Sequence, residues 1–145
     1  MVQIPQHLAE RFADIEALVM NALTPALQQC SPPGRGVTAL PDDASSTLDA
    51  GGFFVLITRV GGGIPPNQRA RDDANIAVSV LSATRRDSWL VANMVRALFD
   101  DHRPGEAGIA DIAEFVGPVQ SPFVNPDRRL VTIYFTVTAV KTRRI

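Results

Sequence analysis

A single cysteine, Cys30, is all the thiol chemistry the chain holds, and histidine is nearly as scarce, with only His7 and His102. No internal disulfide can form, which fits assembly in a reducing compartment. A nucleophilic thiol would need a histidine and an orienting group beside it, so Cys30 reads as structural. Thirteen of the 14 basic residues are arginine and Lys141 is the exception, a bias that reads as GC-rich coding DNA. An individual arginine is therefore no sign of selection for its forked geometry. The net charge is only −1, which leaves no whole-molecule attraction to nucleic acid or to an anionic membrane. No run approaches the roughly 18 apolar residues of a membrane span. "MVQIPQHLAERF" also lacks the basic start and apolar stretch of a secretory leader, so the chain is expected to be soluble and unexported.

What is present suffices for one core, since 46% of the 145 residues are hydrophobic, enough for a single domain without disulfides or metals. From Pro5 to Leu27, Leu8, Phe12, Ile15, Val19 and Ala22 recur at spacings of three and four, with Glu10, Arg11, Asp14 and Glu16 on the other faces. This predicts an amphipathic helix, which Pro5 begins and Pro25 is expected to end or kink. "QQCSPPGRG" follows as a loop and "VTALP" (37–41) as a short strand. "DDASSTLDAGG" predicts a mobile polar loop near 42–52. "FFVLITRV" (53–60) reads as a strand covered on both faces, Phe53, Val55 and Ile57 on one and Phe54 and Leu56 on the other. A second mobile loop is expected near 61–73, then a strand at 75–83 in which Ile76, Val78 and Val80 alternate with Ala77, Ser79 and Leu81.

Thr84 can cap a helix from about 85 to 101, with Asp87 set against its dipole. Its stripe is Leu90 or Val91, Met94 or Val95, and Leu98 or Phe99, with Trp89 at one edge. Residues 109–120 fit a helical turn as well as a strand, and a strand around 112–119 is favoured. Pro126 and Asp127 supply turn chemistry before the plainest strand, where Val131, Ile133, Phe135, Val137 and Ala139 alternate with Thr132, Tyr134, Thr136 and Thr138. The element order predicts an α+β fold with two helices packed on one face of a mixed, mostly antiparallel β-sheet. A sheet apolar on both sides with helices on one is expected to cover the other by oligomerising.

"TRVGGGIPPNQRARDD" (58–73) invites a phosphate-loop reading and fails it. No Lys-Ser or Lys-Thr follows Gly61 to Gly63, Pro65 and Pro66 stand where a helix would start, and the spacing is not GxGxxG. A flexible hairpin connection is the plainer reading. Arg69 and Arg71 beside Asp72 and Asp73 give it both signs of charge, which makes these four candidate interface residues. Asp42 with Asp43, Asp72 with Asp73, and Asp100 and Asp101 before His102 are the acidic clusters. Adjacent side chains diverge on strand and helix alike, so no metal or cofactor is expected. Ser45 and Ser46 lie in no G-x-S-x-G elbow, and enzyme function has no support. Arg128 and Arg129, with Lys141, Arg143 and Arg144, make the ends of the last strand basic. They read either as charges guarding an edge or as a rim for an acidic partner, with DNA binding a weaker third choice.

Taken in order, "VTALPDD", the strand ending "TRVGGG", "ANIAVSVLSAT", "SWLVANMVRALFD" and "NPDRRLVTIYFTVTA" resemble the tail terminator and related neck proteins of long-tailed bacteriophages, particularly those of GC-rich actinobacterial hosts. The likeness spans nearly the whole chain. It implies a virion subunit, assembled in the host cytoplasm, that forms a homohexameric ring on the last ring of the tail tube and stops its growth. The implied partners are the subunit itself, the major tail tube protein and a head-side connector, with DNA only as cargo passing through the lumen. The family offers no catalytic residues to carry over. A head-completion or connector role is the competing expectation, and a small nucleotide-binding enzyme the reading from a different class.

Overall fold

Asp14 divides the first predicted helix in two. In the computed structural model, which describes residues 2–9, 11–64, 71–121 and 128–140, the N-terminal periodicity becomes a single turn, α1 (Gln6–Ala9), and a 15-residue helix, α2 (Ile15–Gln29). The Asp14 carboxylate accepts from the Ala17 amide at 3.2 Å and so starts α2 afresh. The buried stripe is Ile15, Val19, Leu23 and Leu27, while Leu8 and Phe12, read as part of it, are exposed. Pro25 neither ends α2 nor stands near its end in the core, because the helix runs on to Gln29. Proline forfeits one backbone hydrogen bond on the exposed side, while Leu23 and Leu27 anchor the turns before and after it.

The short strand expected at 37–41 lies slightly earlier, as β1 (Arg35–Val37). The stretch at 42–52, read as a loop, holds a short helix, α3 (Ala44–Asp49). Leu48 is its one buried residue and docks with Phe54 and Leu81, a tertiary contact that local polarity does not announce. β2 (Phe54–Gly63) and β3 (Arg71–Ser82) take in both ends of the loop expected at 61–73; residues 65–70 lie outside the described set. Gly61, Gly62 and Gly63 pair with Asn75, Ala74 and Asp73 after a register shift that leaves Val60 without an opposite partner. Gly62 has φ +92°, and a Cβ there would collide with the Asp73 carbonyl oxygen, so this position requires glycine.

α4 (Arg85–Asp100) begins where read, with the Thr84 hydroxyl accepting from the Asp87 amide at 3.2 Å. Its buried stripe is Val91, Val95 and Phe99 rather than Leu90, Met94 and Leu98. A 3-10 turn at Glu106–Gly108 leads to β4 (Asp111–Ser121), a strand as favoured, and β5 (Arg129–Val140) alternates as read. The sheet order is β1-β2-β3-β5-β4, with β1 parallel to β2 and the other pairs antiparallel. α2 and α4 cover one face over a core that includes Val55, Ile57, Ile76, Val78, Ile133 and Phe135. Phe99 of α4 meets Phe135 edge-on, with ring centroids 4.9 Å apart. The fold is therefore α+β with two helices on one face of a mixed, mostly antiparallel sheet.

Candidate assembly surface

The other sheet face has little to cover it. α3 shields only a corner, where Leu48, Phe54 and Leu81 cluster with Leu56 and Leu130. Beyond that corner, β3 and β5 present a ladder of polar cross-strand pairs. The Ser79 and Thr132 hydroxyls lie 2.9 Å apart, the Thr136 hydroxyl donates to Asn75 Oδ1 at 3.3 Å, and the Thr138 hydroxyl donates to the Asp73 carboxylate at 2.7 Å. Such pairs give these polar groups partners with no helix above them, Thr132 buried and the others partly so. On β4 the ladder gives way to apolar side chains: Phe115 is 51% exposed and leans toward the Tyr134 ring, with Val116 and Val119 opposite Tyr134 and Thr132. β4 is also the sheet's edge, broken by two register shifts and by Pro118. Those features blunt it against indiscriminate strand pairing.

Period-two geometry sorts the candidate interface residues. Arg71 and Asp73 stand on the open face and pair at 3.1 Å, opposite Val140 and Thr138. Asp72, between them, turns to the helix-covered side, where it is 5% exposed and engaged by Arg59 through two hydrogen bonds of 2.9 and 3.0 Å. Its carboxylate is therefore spent inside the subunit. Arg69 lies outside the described residues, as do Lys141, Arg143 and Arg144. Arg129 opposes Ser82 at the far end of the ladder from Arg71, about 37 Å away at the strand rise. Arg128 beside it has a side chain only 13% exposed and pairs with Asp49, which ties β5 to α3. Arg71 and Arg129 are thus not brought together.

Arg59 was not singled out by the sequence. Its amide donates to the Glu16 carboxylate of α2 at 2.8 Å, and its guanidinium, besides holding Asp72, donates to the Gly61 carbonyl at 3.2 Å. The hydrogen bonds it donates to Asp72 raise its pKa further, against the lowering effect of burial. The arrangement locks the root of the β2–β3 hairpin to α2, and the only signal for it was the neighbouring glycine run.

Two concavities flank α4. One, of about 610 Å³, lies toward β4 and is lined by Arg96, Asp100, His102, Asp111 and Glu114 among others. Arg96 forks onto Glu114 at 2.6 and 3.1 Å, and His102 Nε2 sits 2.9 Å from the Ile109 carbonyl, closing the turn after α4. Among the described residues, no three His, Cys, Asp or Glu side chains converge as a metal shell would. The second, about 620 Å³, is apolar and lies between α4 and the end of α2.

A family model described as phage tail termination protein matches residues 11–145. The chain belongs to that family. No curated protein matches it. Membership makes this tail termination protein a structural component of the phage virion tail, working against other tail and head proteins. Nothing among the described helices is long and apolar enough to cross a membrane.

Proposed function

We propose that this tail termination protein forms a ring, most simply a homohexamer, that caps the head-proximal end of the tail tube in a long-tailed phage of a GC-rich host. The ring occupies the exposed surfaces of the last tube ring, offers no equivalent surface for another, and presents its other side to the head-side connector. The observation that carries this reading is the sheet face left open beside α3, whose partly buried Thr136 and Thr138 and exposed Phe115, Val116 and Val119 belong against another subunit. Arg71 and Asp73 are its charged contacts, with Arg69 two residues away in sequence. Arg129 belongs to the opposite rim, whereas Asp72 and Arg128 support the fold from within.

Sedimentation and electron microscopy of the protein mixed with purified tail tubes test the proposal. Rings seated on tube ends are the expected result, and a strictly monomeric protein that never decorates a tube end would refute it. Decoration of a connector instead of tube ends would transfer the protein to a neck role. Charge reversal at Arg69 and Arg71 should impair capping without lowering the melting temperature, since Arg71 is a partly exposed pair member rather than a core residue.

A further inference from the structure

Except at Asp87, α4 carries its end charges against its own dipole. Arg85 and Arg86 open the helix, Asp100 and Asp101 close it, and its last turn holds no basic residue. Aligned peptide dipoles make a helix N-terminus positive and its C-terminus negative, so Arg86 and Asp100 each stand at the end that disfavours them. Neither is compensated within the subunit. Both are exposed, neither joins an ion pair among the described residues, and about 21 Å of helix separates them. Arg85 differs, because its guanidinium lies over the Trp89 ring.

Arg86, Leu90, Asn93, Ala97 and Asp100 follow one another at intervals of four, three, four and three, which sets them in one stripe opposite the buried Val91, Val95 and Phe99. All five are exposed, Leu90 by 63%. The stripe complements itself when a copy is turned end for end. With Asn93 on the two-fold axis, Arg86 comes level with Asp100 of the copy and Leu90 with its Ala97, to within the 1.5 Å rise of one residue. Leucine then meets the smallest side chain of the stripe, and each helix end faces one of opposite polarity. Self-complementarity is what an isologous contact requires, and it names a second copy of this chain as the occupant. One helix pair is smaller than a standard interface, so the contact is weak and salt-sensitive.

We propose that α4 packs antiparallel on α4 of a second copy of this chain, with Asn93 at the two-fold axis and Arg86 paired to the copy's Asp100 at both ends. The pair goes beyond the ring reading and uses the helix-covered side of the subunit, which leaves the open sheet face free. Cross-linking in a Cys30→Ser background tests it. Asn93→Cys should form disulfide dimers, which need a two-fold axis near that residue. A mixture of Arg86→Cys and Asp100→Cys chains should cross-link although neither does alone. In sedimentation experiments Arg86→Asp and Asp100→Arg should each weaken the pair about tenfold, and the double variant should regain native affinity. Each single variant should keep or raise the melting temperature, because it removes a charge from the end of the helix that disfavours it. Cross-links between positions 86 and 100 with none at 93 would make the contact head-to-tail and overturn the two-fold pair. Single variants that pair as well as the native chain, or a double variant that is not rescued, also overturn it. So does a fall in melting temperature with Asp100→Arg, which would assign that carboxylate to its own subunit. A chain that stays monomeric at every concentration overturns the pair as well, while the same monomer seated on tube ends leaves the ring reading standing.

Discussion

At Arg59 one residue joins three elements: its guanidinium forks onto Asp72 of β3 and its backbone amide donates to Glu16 of α2. Arg59→Met would leave the Asp72 carboxylate buried without that partner, so unfolding by urea should show a loss of about 1–3 kcal/mol. The Arg59 pKa is raised by its hydrogen bond to Asp72, so this stabilisation is complete below the ordinary arginine range and fades only as pH rises above it. The stability gap between native and Arg59→Met protein should therefore stay constant from about pH 7 to about pH 9, in matched melts. Gly62→Ala meets two obstacles, a positive φ and the Asp73 carbonyl, and should cost more than about 1 kcal/mol in the same assay. The glycine run was visible in the sequence, but its purpose was not. Whether glycines after a strand form a turn or a bulge depends on the partner strand, and here Asp73 and Ala74 supplied it.

Among the elements, those with strong periodicity were legible and those shaped by a distant contact were not. β5 and α4 could be read nearly to the residue, since alternation and the Thr84 cap are local signals. α3 could not, because it is organised by distant partners, Leu48 docking on Phe54 and Leu81 and Asp49 pairing with Arg128. Leu48→Ala should therefore cost about 2–3 kcal/mol and release helical signal by circular dichroism. Pro25 is the reverse case, a strong local signal overridden by the burial of Leu23 and Leu27. Pro25→Ala should restore a helical hydrogen bond, raising the unfolding free energy by about 1–2 kcal/mol after the greater freedom of the unfolded chain is subtracted, and with it the melting temperature. A fall in melting temperature would mean that the proline fits its site without strain. Arg71, Asp72 and Asp73 belong to β3 although three consecutive charged residues do not look like a strand. Thr138 and Arg59 on either side of that strand give the two carboxylates their partners.

At the scale of the molecule, the deciding feature is one-sided coverage. α2 and α4 close one face of the sheet, α3 closes a corner of the other, and the remainder is a polar ladder edged by Phe115 and two valines. Phe115→Asp should change the unfolding free energy by less than about 1 kcal/mol, because that ring is half exposed in the isolated subunit, yet weaken assembly in sedimentation experiments. Unaltered assembly would remove β4 from the contact. By itself the sequence determined the class of fold, the helix-covered face, the lack of a phosphate loop and the resemblance to tail terminators, since these rest on composition, on periods of 3.6 and 2 and on the order of elements. Only the tertiary structure decided which charges are available to a partner. Neighbours on a strand point to opposite faces, so Arg71 and Asp73 meet the open side while Asp72, equal to them in sequence, is turned inward to Arg59.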